Sequence, residues 1–558
     1  MSDLRARGLL AVSRIGFNGV KEDPVHFALL VSRRFASSRL FLGITKRIGR
    51  LLEAHKLSNF AFTKRVRSSI FLLDGKPNEA IELLKDQHDA KSMCARARIY
   101  AFLGEYEFAV AQAASAGKAG RRLVKQYAAE KSVLSKPLID QDKTLSVIRT
   151  NHKRVLHLLT NSLPFTNSGY TQRSHSVLKS IQKTGWEVVP FSRVGYPWIV
   201  GVLPNSDADD IDGVTYRRLL PKVLPATATE RLSVQTELLS KAVVEFKPAV
   251  LHTTTEFLNG ISIKDVAQKA ELPWIYEVRG QLADTWLSGC ADRSRESFRY
   301  INFKARESEI AKSADAVITL GSTMRDELIA AGVDPQRILI CPNAVGEEFI
   351  ENVPDKSTSR QKLGLADDWQ LIGTVSSLVG YEGLDLLVRA FAELSSNHPK
   401  LRLVIVGDGT ERTSLINLAD ELGIKDRAVF PGRVEKSKAR LYHRALDVFV
   451  VPRRDLDVTR AVTPLKPVEA MAFEVPVVAT DLPALREIVD DGVDGLLFEA
   501  GDQFDLADKI RVLLDDKAMR DTMGRAGRMK VLSTRTWAAN AEKITSLYSS
   551  LCAGRSEQ

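Results

Sequence analysis

Residues 401–424, LRLVIVGDGTERTSLINLADELGI, run from a nearly unbroken apolar strand through a Gly-Asp-Gly turn into a helix. A strand this apolar has to be covered on both faces, as in a parallel sheet. The alternation continues outward. LIGTVSSL (371–378) precedes it, and RAVFPGRV (427–434), DVFVVP (447–452) and VPVVATD (475–481) follow. A second series lies upstream. There RVLHLLTN (154–161) and WEVVPFSR (186–193) flank the helical TQRSHSVLKSIQKTG, and AVLHTTT (249–255), WIYEVRG (274–280), AVITLG (316–321) and RILICPNAV (337–345) come after them. Strands alternating with helices predict two doubly wound α/β domains. Each would carry its ligand loops at the carboxyl ends of its strands, and the two would face a cleft.

Residues 1–148 read differently, as helix throughout. IFLLDGKPNEAIELLK (70–85) and IYAFLGEYEFAVAQAA (99–114) each place an apolar helix, a glycine and a second helix in succession. That is tetratricopeptide-like logic at a shorter interval than the roughly 34 residues usual for such repeats. An ordinary helical hairpin domain fits equally, and either serves as a scaffold or a protein-interaction module. The polar stretch KPLIDQDKTLSVIRTNHK (136–153) marks the boundary.

The net charge of +10 is concentrated at one end: residues 1–70 hold fourteen Lys or Arg against four acidic residues. HFALLVSRRFASSRLFLGITKRIGRLL (26–52) suits an anionic membrane surface, and it suits a solvated helix face as well. No nucleic-acid motif accompanies it. No apolar run approaches the roughly 20 residues of a membrane span, and the start lacks the pattern of a secretory signal. The four cysteines are scattered without metal-ligand spacing, which points to free thiols in a reducing cytoplasm.

The most specific segment is PVEAMAFEVPVVATDLPALREIVDDGVDGLLFEAGD (467–502). Together with ADAVITLGSTMRDELIAAGV (314–333), the Asn343 turn, VFPGRV (429–434) and TWAANAEKITSLY (536–548), it resembles the retaining family-4 glycosyltransferases of GT-B fold. YEGLDLL (381–387) and VTPLKPVEAMA (462–472) resemble a subgroup of that family. The resemblance covers residues from about 153 onward. It implies an acceptor domain over 149–345, a nucleotide-sugar donor domain over 346–535, and a terminal helix, 536–558, crossing back onto the first. It also implies transfer of a hexosyl group from a nucleoside diphosphate sugar to an acceptor hydroxyl with retention, without cofactor or metal.

Thr463 is expected to cap a helix whose first turn holds Pro464, Lys466 and Pro467, making an anion site at its N-terminus. Lys466 and Glu469, three apart, share a face. The resemblance assigns Glu469 to the donor ribose. Where the family has a further Glu, this chain has Ala461. Where the family has Arg and Lys on the diphosphate, it has Ser377 and Glu382. A carboxylate repels a diphosphate, so the cations are expected to have moved to Lys466, Arg453 and Arg454. Gly169 and Gly409 are expected to let the backbone approach the donor, and Gly432, Arg433 and Val434 to meet the base.

EVRG stands where the family has a histidine near the reacting sugar, which makes Glu277 and Arg279 catalytic candidates; a buried structural pair is the competing reading. His252 and Glu382 are candidates for sugar or acceptor contact. Asp455–Asp457 mimics a metal-binding Asp-x-Asp, yet it lies between arginines and is not expected to hold a metal. The expected acceptor is a glycan or lipid-linked hydroxyl of envelope or extracellular polysaccharide synthesis, met at the inner face of a membrane. A GT-B sugar-nucleotide epimerase and a non-catalytic scaffold are the alternatives.

Overall fold

The structure, a computed structural model, describes residues 61–135, 145, 153–351 and 353–554, so the basic stretch before residue 61 lies outside the described residues. The first sheet holds β1 (Arg154–Leu159), β2 (Glu187–Ser192), β3 (Ala208–Ile211), β4 (Val214–Arg218), β5 (Val250–Thr254), β6 (Trp274–Glu277), β7 (Ala316–Thr319) and β8 (Ile338–Ile340). Their spatial order is β3-β4-β2-β1-β5-β6-β7-β8, and only β3 runs antiparallel to its neighbour. The second sheet holds β9 (Gln370–Val375), β10 (Leu401–Val406), β11 (Ala428–Gly432), β12 (Val448–Val451), β13 (Val477–Thr480) and β14 (Gly495–Phe498). Its order is β11-β10-β9-β12-β13-β14, with every pairing parallel. Chain order reverses at β1/β5 and at β9/β12, and such switch points open a crevice at the carboxyl ends of the strands.

Burial explains why the strands were legible. Val448 to Val451 and Val477 to Thr480 are buried at every position, because helices cover both faces. Pro431 lies in β11, an edge strand, where its missing N–H costs no ladder bond on the solvent side.

Ahead of the first sheet, helices Ala61–Leu73 and Pro77–Leu84 pair about Gly75, and helices Ala90–Phe102 and Tyr106–Ser115 pair about Gly104. Both glycines have positive φ, +75° and +83°, which L side chains adopt at a cost. Gly104 is needed for space as well, since a Cβ there would stand 2.7 Å from Arg299 Cβ and 2.9 Å from the Trp286 ring. Arg299 donates its backbone N–H to the Gly104 carbonyl at 3.0 Å and a guanidinium N–H to Tyr106 OH at 3.0 Å. Arg293 packs over the rings of Phe102 and Trp286 at 4.4 and 4.5 Å. The helical unit is thereby seated on the 286–299 segment of the first α/β domain.

The chain crosses between the α/β domains twice, and the two crossings lie side by side. Val345 N donates to Arg535 O at 2.9 Å, and Trp537 N donates to Val345 O at 3.0 Å. Beyond the second crossing, helix Trp537–Gly554 packs on helix Gly169–Lys183 and drives Tyr548 into the first core. There the Tyr548 hydroxyl lies 2.7 Å from His252 Nδ1 and 3.3 Å from His157 Nε2. A further contact joins the domains elsewhere. Helix Ser322–Ala330 has no side-chain cap of its own, and Glu487 of the second domain accepts from Ser322 N and Thr323 N, both at 2.8 Å.

Tyr548→Phe removes the hydroxyl from two buried imidazoles while keeping the ring. The expected loss is about 1–3 kcal/mol of stability, read as a lower urea midpoint at unchanged m-value.

Candidate functional site

A cavity of about 190 Å³ lies in the cleft, at the carboxyl ends of β9, β10 and β11. The second domain contributes Ser376 and Ser377 after β9, Gly407 and Asp408 after β10, Arg433 and Val434 after β11, and Lys436, Lys466 and Glu469 beyond them. The first domain contributes Asn167, Ser168, Gly169 and Gln172. Ser168 caps the long helix Gly169–Lys183: its backbone N–H donates to Thr171 Oγ1 at 2.8 Å, and its hydroxyl accepts from Thr171 N. Nothing lies within 4 Å of the place a Gly169 Cβ would take, so the helix end is open to the cavity.

The two glycines of the Gly-Asp-Gly turn are needed for close packing. Gly407, at φ +140°, passes so close to β9 that a Cβ would sit 1.8 Å from Ser376 O. At Gly409 a Cβ would meet Leu378 O at 2.2 Å. Both glycines pack one ligand loop on another, and Gly409 is not in the cavity lining. Gly432 is also outside it; its φ of +78° turns the chain so that Arg433 and Val434 reach the wall.

Thr463 does not cap a helix. The helix runs Lys466–Ala472 with Leu465 before it and no side-chain cap, and Thr463 Oγ1 is buried without a partner. The Thr463 carbonyl is taken instead by Asn343 Nδ2 at 2.8 Å, across 120 residues of sequence. What Lys466 brings to the cavity wall is its side chain. Its Nζ lies 2.8 Å from Glu469 Oε2, and His443 Nε2 lies 3.2 Å from the same oxygen. Burial raises the Glu469 pKa, but Lys466 and His443 outweigh it and bring the group down to about 2. The result is a buried carboxylate that stays ionised, with both contacts made through Oε2.

Two expected phosphate cations are engaged elsewhere. Arg453 is only 8% exposed and lies outside the lining. Its Nε and Nη2 donate to the two oxygens of Glu382 at 3.2 and 2.8 Å, and its Nη1 donates to Val462 O at 2.9 Å. That pair gives Glu382 a role: it braces the loop after β9 to the loop after β12. Arg454 points outward and grips both oxygens of Asp385 at 2.9 Å. Of the cations on the wall, Arg433 is exposed and has no ion-pair partner among the described residues. Lys436, which the sequence reading missed, is held by Glu348 at 2.8 Å. Its signal was its place in the first turn after a strand's carboxyl end.

Glu277, Arg279 and His252 do not line the cavity; they form a buried network in the first α/β domain. Glu277 is fully buried. Oε1 accepts from Arg173 Nε and Nη2 at 3.0 and 2.8 Å, and Oε2 accepts from Arg279 Nη2 at 2.5 Å. Burial pushes the Glu277 pKa up, and the two guanidinium groups, Arg279 foremost, hold it far below the usual carboxylate range. His252 lies 3.7 Å from Glu277 and is pushed down to about 4, chiefly by burial, so it is neutral. Arg173 also donates to the carbonyls of Cys341 and Pro342 and to Asn343 Oδ1. The structural-pair reading of EVRG is the one the geometry fits. The carboxylates of the Asp-x-Asp are likewise engaged, Asp455 with Arg460 and Asp457 with Arg295.

Residues 168–344 match the family described as Glycosyl transferase 4-like domain, and residues 355–530 match Glycosyl transferases group 1. D-inositol 3-phosphate glycosyltransferase of Stackebrandtia nassauensis is 31% identical over 253 residues, 43% of this chain and 55% of that protein. GDP-mannose-dependent monoacylated alpha-(1-6)-phosphatidylinositol monomannoside mannosyltransferase of Corynebacterium glutamicum is 32% identical over 233 residues, 41% of this chain and 58% of that protein. The chain thus spans little more than half the length of these curated relatives. Sucrose-phosphate synthase from Thermosynechococcus elongatus superposes with a TM-score of 0.60 at 22% identity, over 72% of this chain and all of that one. Anabaena HepE in complex with UDP superposes at 0.57 and 18%, over 71% of this chain and all of its own. At these identities the likeness shows the fold, which is GT-B.

Glu277→Gln leaves two buried guanidinium groups short of a counter-charge, and a loss of about 3–5 kcal/mol is expected in chemical denaturation. The folded-state pKa of Glu277 lies below that of the unfolded chain. Its contribution is therefore complete above the unfolded carboxylate pKa, roughly 4.3, and is lost as pH falls below that value. The variant should show a shallower loss of stability in that acid window.

Proposed function

On a chain that carries a glycosyltransferase 4-like domain and a group 1 glycosyltransferase domain, we propose that the protein transfers a hexosyl group from a nucleoside diphosphate sugar to an acceptor hydroxyl, with retention. The observation that carries this reading is the buried, ionised Glu469 with Lys466 against it, on the wall of a cavity closed from the other side by Ser168 and Gly169. A carboxylate with one oxygen free accepts hydrogen bonds from a vicinal diol such as a ribose. A diphosphate lying between Lys466, Arg433 and the N-terminus of the Gly169–Lys183 helix meets two cations and a positive dipole end.

In the reaction the bond from the anomeric carbon to the diphosphate oxygen breaks. The acceptor oxygen bonds the same carbon on the same face, and its proton passes to the departing phosphate. The protein's share is electrostatic and positional: the cations stabilise charge as it develops on the leaving group. Glu382 would repel that charge if it were free, and its bidentate pair with Arg453 keeps it neutralised. The reading calls for no metal, because side chains supply the positive charge.

The acceptor in this reading is a glycan or a lipid-linked hydroxyl of envelope synthesis. The curated relatives are named for inositol phosphate and phosphatidylinositol mannoside substrates, which supports it. Among the described residues no helix is long and apolar enough to cross a membrane, so a lipid acceptor would be met at a surface, through the basic residues 1–70. Cosedimentation with anionic vesicles tests that contact: the full chain should bind and a chain lacking residues 1–60 should not. Equal binding by both refutes it.

Calorimetry with UDP and GDP tests the donor site. The wild type is expected to bind one of them, and Lys466→Ala to bind it about tenfold more weakly or worse, the loss of one charge-assisted contact. No affinity in the wild type overturns the enzyme reading in favour of a scaffold. Unchanged affinity in the variant overturns the placement of the phosphates.

A further inference from the structure

Three carboxylates stand on the wall of the cleft cavity: Glu348, Asp408 and Glu469. Two of them are matched by cations, Glu348 by Lys436 and Glu469 by Lys466. Asp408 is the exception. It is exposed and has no cationic partner among the described residues; Arg433, on the same wall, makes no ion pair with it. A bare negative charge beside a diphosphate repels it. Such a charge suits a nucleotide site only where the ligand turns hydrogen-bond donors toward it.

The turn that carries this carboxylate is held on both sides. Val406 of β10 lies opposite Gly432 of β11, and Gly407 N donates to Gly432 O at 3.0 Å. Asp408 O accepts from Leu378 N at 3.1 Å, which ties the turn to the loop after β9. Asp408 Oδ1 accepts from Gly409 N at 2.9 Å, and Oδ2 has no partner among the described residues. An acceptor oriented by its own turn loses little freedom when a ligand binds. Strand order gives the direction in which a donor nucleotide lies. Lys466 and Glu469 belong to the helix after β12, on one side of β9, whereas Asp408 and Val434 follow β10 and β11, on the other. With the diphosphate at Lys466 and the ribose at Glu469, the base extends toward the β10 and β11 side. There Val406 and Val434 line the cavity together with Asp408, apolar surface beside one charged edge.

We infer that Asp408 selects the base of the donor and that the base is guanine, whose N1–H and 2-amino group both donate to the Asp408 carboxylate. The inference rests on the donor reading and names the nucleotide that reading left open. Guanine sets two donors side by side on one edge, which matches the two oxygens of a carboxylate. Uracil offers a single N–H between two carbonyl oxygens, and a carboxylate repels both of them. Adenine and cytosine each place one amino group beside a bare ring nitrogen, which is repelled as well. One unpaired carboxylate thus attracts one base and disfavours the other three.

Calorimetry of the full chain with GDP, IDP and UDP tests this, since IDP keeps the N1–H of GDP and lacks its 2-amino group. The wild type should bind GDP about tenfold more tightly than IDP, the scale of one charge-assisted hydrogen bond, and more tightly still than UDP. Asp408→Asn sets an amide against the guanine donors. GDP should then bind about tenfold more weakly or worse, and its advantage over IDP should vanish. An unchanged urea midpoint shows that this variant is folded. Lys466→Ala should weaken GDP and IDP by the same factor and leave their ratio as it was, because it acts on the phosphates. A wild type that binds UDP as tightly as GDP, or more tightly, overturns the selection of guanine and leaves the proposed function standing. A ratio of GDP to IDP affinity that Asp408→Asn leaves unchanged overturns the role of Asp408. Binding of none of the three nucleotides overturns the donor reading and this inference with it.

Discussion

The first α/β domain is organised around one buried carboxylate. Glu277, at the end of β6, holds Arg173 of the helix after β1 and Arg279 of its own loop, and Arg173 in turn collects the carbonyls of Cys341 and Pro342. An ionised group with no exposure is tolerated only when its charge is matched and its lone pairs are filled. Here both conditions are met by Arg173 and Arg279, drawn from two separate stretches of chain. The Glu277 network ties the end of β6 to the helix after β1 and to the turn at Asn343. The turn at Asn343 then passes the constraint to the second domain, through the bond from Asn343 to the Thr463 carbonyl just ahead of Lys466.

The cavity in the cleft follows a related rule at lower burial. Lys466 is set against Glu469, and Lys436 against Glu348. Arg453 and Glu382 neutralise one another just behind the wall. Arg433 alone among the wall's cations lacks such a partner among the described residues. An anion entering here meets cations already oriented by carboxylates, so little side-chain freedom remains to be lost on binding. The loop after β9 serves as a brace, through the pair of Glu382 with Arg453.

The fold was legible because parallel strands covered on both faces have to be apolar throughout, and DVFVVP or VPVVATD admit few other readings. Glu469 and Lys466 were legible because their three-residue spacing is a local matter. What misled were pairings between distant stretches. Arg453 looks like a free cation until Glu382, 71 residues earlier, is seen to hold it. Thr463 looks like a cap until Asn343 claims its carbonyl. EVRG looks like chemistry on a strand end until Arg173, 104 residues earlier, is seen to hold the buried Glu277.

Tyr548 has a consequence for how the protein is made. The first domain's core contains two buried imidazoles, His157 and His252, whose common partner is this tyrosine from the final helix. On a ribosome, β1 through β8 emerge long before residue 548 does. Throughout that interval the sheet holds a gap where the ring belongs and two histidines with an unmet bond. The first α/β domain therefore cannot complete its core until residue 548, beyond the whole of the second α/β domain, has been made.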